Sequence, residues 1–101
     1  MSIELTDSDF KEKLVGQDGL VLFYKKICPH CKALKKVLEK FTAAVPDASV
    51  MQIDSEENPA TMAEMNVSRI PTLLVVKSGE VAERKVGLMN VRDMIALYED
   101  A

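Results

Sequence analysis

The sequence predicts an α/β domain with a mixed central sheet of about five strands flanked by about four helices, in the order β-α-β-α-β-α-β-β-α. Three observations carry this reading. Residues 20–24 and Thr72–Lys77 are nearly continuous apolar runs, as expected of strands covered on both faces. Amphipathic stretches with helix-start residues separate the first strand-like segments, and strands joined through helices pair in parallel. Ser78-Gly79 then sits between two strand-like runs as a hairpin turn, which adds an antiparallel strand.

Taken in order, Ile3-Glu4-Leu5 forms a short first strand. Thr6-Asp7-Ser8-Asp9 supplies an N-cap and early acidic residues for a helix in which Phe10 and Leu14 face the core, with Val15 beside them. Gly16 ends that helix, and Asp18-Gly19 turns the chain into the strand at 20–24. Pro29 suits the first position of the next helix, where a missing N–H costs nothing. Leu34, Val37, Leu38, Phe41 and Val45 follow at helical spacing, with Lys32, Lys35, Lys36, Glu39 and Lys40 opposite and Pro46 as the stop. Ser49–Asp54 is a strand. Asn58-Pro59 opens a short helix through Met65 that ends near Asn66, with Asn58 as its cap. Thr72–Lys77 and Glu80–Val86 form the hairpin, and Gly87 breaks the chain. Asn90 caps a last helix with Val91, Met94, Ile95, Leu97 and Tyr98 on its apolar side.

The 101 residues are expected to form a single domain, 1–101, around one core. A net charge of −3 gives no electrostatic reason to expect nucleic acid or an acidic membrane as the partner. No apolar run approaches the length of a membrane helix. The Met1-Ser2-Ile3-Glu4 start lacks the basic segment and apolar run of a secretory signal, so the expected location is the cytoplasm.

Both cysteines and the only histidine fall in one stretch, Cys28-Pro29-His30-Cys31. Two cysteines placed at random would take this spacing in roughly 2% of cases. In a reducing compartment such a pair points to catalysis, redox sensing or metal binding more than to a structural staple. Cys28 falls where a buried strand meets a helix N-terminus, whose free N–H groups and dipole favour a thiolate. Cys31, one turn on, lies further in and within reach of the first sulfur. The pair can cycle between dithiol and disulfide through a mixed disulfide, Cys28 as nucleophile and Cys31 as resolving thiol. One Cys-x-x-Cys plus His30 supplies too few spaced ligands for a closed zinc site, so no metal is expected.

With these residues in view, the chain resembles the thioredoxin family, and most of all its small atypical members. The resemblance covers nearly the whole length: the apolar strand before Cys28, the motif with Lys32 after it, Ile53-Asp54 followed by Asn58-Pro59, Ile70-Pro71-Thr72, the strand after it, Gly79-Glu80 and Val86-Gly87. It implies the thioredoxin fold and a reversible Cys28–Cys31 disulfide with no bound cofactor. It also implies that Pro71 is cis and packs beside the sulfurs. Ile70 and Pro71 then form one wall of a substrate groove, with Ile27 and Gly87 near its rim. The implied function is thiol–disulfide oxidoreduction on protein disulfides by a monomer. A flavin-dependent, nicotinamide-dependent thioredoxin reductase recharges it.

Four departures stand out. Pro29-His30 and Ile27 replace the usual Gly-Pro and preceding Trp. Leu22 takes the place of the buried aspartate that assists the resolving cysteine, and Val50 that of its lysine neighbour. Lys36 stands where the helix usually carries a kinking proline, and Arg69 replaces a glycine, adding a cation near the groove. An imidazole at position 30 can hydrogen-bond the thiolate or supply positive charge, which stabilises the dithiol and makes the protein more oxidising. Two alternatives stay open. One is a glutaredoxin-like protein recharged by glutathione. The other is a non-catalytic module that uses the groove to hold a partner, or a dimeric cluster carrier.

Overall fold

A computed structural model describes residues 2–101. The elements run β1 (Ile3–Leu5), α1 (Phe10–Leu14), β2 (Gly19–Tyr24), α2 (Pro29–Ala44), β3 (Ser49–Asp54), α3 (Pro59–Glu64), β4 (Thr72–Lys77), β5 (Glu80–Val86) and α4 (Val91–Asp100). They build one five-stranded sheet in the order β1-β3-β2-β4-β5. β3 pairs in parallel with both β1 and β2, whereas β4 runs antiparallel to β2 and to β5. The sheet is therefore mixed, but the expected parallel pairing of helix-joined strands stops at β4: although α3 connects it to β3, β4 enters beside β2 in the antiparallel sense.

Side chains alternate strictly across the central strands, which sorts the core into two clusters. Leu20, Leu22, Tyr24, Val50, Leu73 and Val75 face α2 and α4. Val21, Phe23, Met51, Ile53, Leu74 and Val76 face α1 and α3. Along α2 the buried positions are Cys31, Leu34, Leu38 and Phe41, spaced to place one stripe against the sheet. Full burial of a side chain such as Phe41 stabilises by about 1.5–3 kcal/mol. Tyr98 packs edge-on against Phe41, ring centroids 5.5 Å apart, and so fastens α4 to α2.

Turn chemistry closes the hairpin. Ser78 (φ 53°) and Gly79 (φ 81°) both occupy the left-handed region, as a two-residue I′ turn demands. Ser78 N–H donates to Asp18 Oδ1 (2.7 Å) and Gly79 N–H to Gln17 O (2.9 Å), docking the turn on the loop after α1.

Three local expectations are corrected. Val15 is 75% exposed, because α1 ends at Leu14 and the next residue swings away from the core. Asp9 makes no side-chain cap at α1; its Oδ1 accepts from Thr6 N–H and hydroxyl instead. Asn58 does not cap α3 through its side chain either. It bridges the chain, accepting from Asp7 N–H (2.8 Å) and donating to Asp54 O (2.8 Å), and Asp7 takes over the capping of α3. Asn90 does cap α4, accepting from Asp93 N–H at 2.8 Å.

Candidate active site

The parallel strand β2 ends at Tyr24 in the middle of the sheet, and the loop after it delivers Cys28 to the N-terminus of α2. Cys28 is the N-cap residue in extended conformation, and Pro29 fills the first helical position. Cys28 Sγ accepts the Cys31 backbone N–H at 3.1 Å, so a helix-terminal donor already points at this sulfur. Cys28 and Cys31 are joined in a disulfide, their Cα atoms 5.2 Å apart.

The two sulfurs have different surroundings. Cys28 is half-buried, whereas Cys31 is 2% exposed and belongs to the apolar cluster of Leu22, Leu34, Leu73 and Val75. Leu22 and Val50 are both buried in that cluster, so the space beneath Cys31 contains hydrocarbon and no carboxylate–lysine pair. His30 is exposed at the second position of α2.

Ile70–Pro71 is a cis peptide bond. Ile70 packs against the same cluster that holds both cysteines. Pro71 is buried, and its carbonyl accepts the N–H of Gly87 (3.0 Å), which has φ 89°. The Thr72 hydroxyl donates to Arg69 O, tying down the other side of the same loop. Ile27 is 91% exposed one residue before the disulfide. Ile27, Cys28, Pro29 and Cys31 share a cavity of about 570 Å³. Arg69 lies apart from it, in a separate cleft with Thr72 and Arg84.

From the sequence the α2 lysines form a solvated face able to steer acidic partners; the fold adds their convergence with Lys25 and Lys26 on the disulfide and the contacts linking Lys35, Tyr24 and Glu4. Lys25, Lys26, Lys32 and Lys35 line the disulfide cavity together. Lys26 pairs with Glu57 (3.0 Å) and approaches Asp54 (4.0 Å); the Glu57 carboxylate holds the ammonium above its ordinary range. Lys35 rests over the Tyr24 ring, 3.8 Å from its centroid. Tyr24 donates its hydroxyl to Glu4 Oε2 (2.8 Å), and burial, with Glu4 second, pushes its phenol well above the usual range. The available signal was spacing: Lys35 lies one turn beyond Cys31, at the border between the buried stripe of α2 and its solvated face. Among the described residues no group of three or more His, Cys, Asp or Glu side chains is placed to hold a metal ion. No described helix is long and apolar enough to cross a membrane.

The family model described as Thioredoxin matches residues 1–100. The chain belongs to the thioredoxin family. It is similar to a thioredoxin of Staphylococcus epidermidis, 38% identical over 86 residues that cover 84% of this chain and 83% of the relative. A thioredoxin of Staphylococcus saprophyticus is 33% identical over 98 residues, covering 96% and 94%. Among solved structures, desulfothioredoxin from Desulfovibrio vulgaris Hildenborough, determined in its reduced form, superposes with a TM-score of 0.83 at 37% identity over the full length of both chains. A thioredoxin-family sheet carrying one close cysteine pair at the start of α2 is a thiol–disulfide oxidoreductase.

Proposed function

We propose that the chain, acting as a single domain over residues 1–101 in the reducing cytoplasm, reduces disulfides in protein substrates with Cys28 as nucleophile and Cys31 as resolving thiol. The asymmetry of the two sulfurs supports this reading: Cys28 is accessible and faces a helix N–H, while Cys31 is buried behind it. In the dithiol form, the Cys28 thiolate attacks one sulfur of the substrate disulfide. That bond breaks, one substrate thiolate leaves, and a Cys28–substrate mixed disulfide forms. Cys31 then loses its proton and attacks Cys28 Sγ. The second substrate thiolate departs, two electrons have passed to the substrate, and the Cys28–Cys31 disulfide is left. With no carboxyl in the apolar cluster around Cys31, exposed His30 is the titratable group assigned to take its proton.

Ile70, Pro71, Gly87 and Ile27 form the substrate groove in this reading; Arg69, expected near it, faces the neighbouring cleft and reaches the groove only through a long substrate. The Gly87–Pro71 hydrogen bond holds the wall in place. A flavin- and nicotinamide-dependent thioredoxin reductase returns the two electrons. The test is insulin-disulfide reduction by the intact protein, recharged either by thioredoxin reductase with its nicotinamide nucleotide or by glutathione. Turnover with the reductase and complete loss in Cys28→Ser are expected. Turnover surviving in Cys28→Ser would remove its assigned role, and recharging by glutathione alone would move the protein to the glutaredoxin-like class.

A further inference from the structure

The charges of this chain are segregated. Residues 25–40 contain six lysines and one acidic residue, Glu39, and carry +5, whereas the rest of the chain carries −8. The fold gathers the positive part around the disulfide: Lys25, Lys26, Lys32 and Lys35 line the cavity that contains Cys28 and Cys31. Lys26 is balanced by Glu57 and Asp54. Among the described residues, Lys25, Lys32, Lys36 and Lys40 make no ion pair. Glu57 and Asp54 thus offset one lysine of the collar, while Glu39 on α2 and Glu56 in the loop after β3 make no ion pair with the others among the described residues.

We propose that this lysine collar is a docking surface for polypeptide substrates whose disulfide is flanked by acidic side chains. The proposal rests on the reading of the chain as a protein-disulfide reductase and names the class of substrate that it prefers. Extent identifies the occupant. Lys32, Lys36 and Lys40 stand four residues apart on α2 and form one row about 12 Å long. The row begins in the cavity and leaves it, since Lys36 and Lys40 lie exposed beyond its lining. A small anionic disulfide occupies the cavity alone; a polypeptide reaches the whole row. A net-negative protein needs such a local field to attract an anionic partner to its sulfurs, because its overall charge repels one.

The test uses the pre-reduced protein in single-turnover reactions, which pass two electrons from the Cys28/Cys31 dithiol to the probe and need no reductase. The probes are two disulfide-cyclised peptides of one sequence frame, with Glu or Lys on both sides of each cysteine, and glutathione disulfide. At about 20 mM ionic strength the Glu peptide should react about tenfold or more faster than the Lys peptide, and at about 0.5 M salt that ratio should shrink to about twofold. In the Lys36→Gln/Lys40→Gln variant the low-salt ratio should fall several-fold. Equal rates for the two peptides, a ratio indifferent to salt, or a ratio unmoved by the double substitution would overturn the collar. Glutathione disulfide sharing the rate, salt response and variant response of the Glu peptide would overturn the polypeptide as occupant. Failure to reduce any probe would overturn the reductase reading and this inference with it.

Discussion

Asp7, in the turn before α1, holds the N-terminus of α3: its Oδ1 accepts from the Thr61 N–H at 2.8 Å and from the Thr61 hydroxyl at 2.7 Å. Its Oδ2 adds the Ala60 N–H at 3.3 Å. One carboxylate thus ties the segment after β1 to a helix more than fifty residues later and supplies the cap that Asn58 does not.

That arrangement has an acid signature. The Thr61 hydroxyl bond is the main cause holding the Asp7 carboxyl below its ordinary range; partial burial opposes it, and the Thr61 and Ala60 N–H groups reinforce it. A carboxyl whose folded pKa is depressed contributes stability that is fully present above its unfolded value, about 3.9. That contribution is lost as pH falls through the folded value. Asp7→Asn should therefore flatten the pH dependence of stability below about pH 4, measured as the acid unfolding midpoint by circular dichroism. Asp7→Ala should also lower Tm at neutral pH by roughly a few degrees. Identical acid limbs in wild type and Asp7→Asn would contradict this.

Leu22 is fully buried in the cluster that contains Cys31. Restoring an aspartate there buries a carboxylate among Leu34, Leu73 and Val75. Leu22→Asp should cost more than about 3 kcal/mol in urea unfolding. Adding Val50→Lys on the same face of the sheet should return about 1 kcal/mol or more, visible as coupling in the double-mutant cycle. Strict additivity would show that the two positions do not communicate.

The division of labour between the sulfurs predicts a trapped intermediate. Cys31→Ser should retain attack by Cys28 and accumulate the mixed disulfide with a substrate, detected by mass spectrometry as an adduct released by dithiothreitol. Cys28→Ser should trap none, because Cys31 is buried.

His30 stands exposed two residues beyond Cys28, and we propose that its imidazole stabilises the dithiol by hydrogen bonding or charge. His30→Gly should shift the equilibrium with glutathione toward the protein disulfide by about tenfold, equivalent to about 30 mV lower potential. An unchanged equilibrium would leave the imidazole without a role in setting the potential.

Much of this was legible in the residues. Continuous apolar runs marked β2 and β4 because both faces of those strands are covered, and Ser78-Gly79 marked the hairpin because only certain residues enter the left-handed region readily. The place of Cys28 at the start of α2 followed from Pro29 and the helical spacing beyond it. Partners distant in sequence were not legible. Asp7 reads as a cap for the helix beside it, since local proximity is all that a linear pattern weighs; the parallel β1–β3 pairing carries it to Thr61 instead.

For the site, the sequence by itself determined the chemistry: two cysteines at helix-turn spacing, a histidine between them, and leucine and valine where a buried ion pair usually lies. Tertiary structure alone decided the setting. It joined Ile70 to the sulfur-bearing cluster and closed Pro71 onto Gly87. It sent Arg69 to a different cleft and drew Lys25 and Lys26 beside Lys32 and Lys35. The physical reason is the crossover of the sheet. Placing β2 between β3 and β4 brings the end of one strand, the start of α2 and the approach to β4 to a single edge, where groups far apart along the chain share one field.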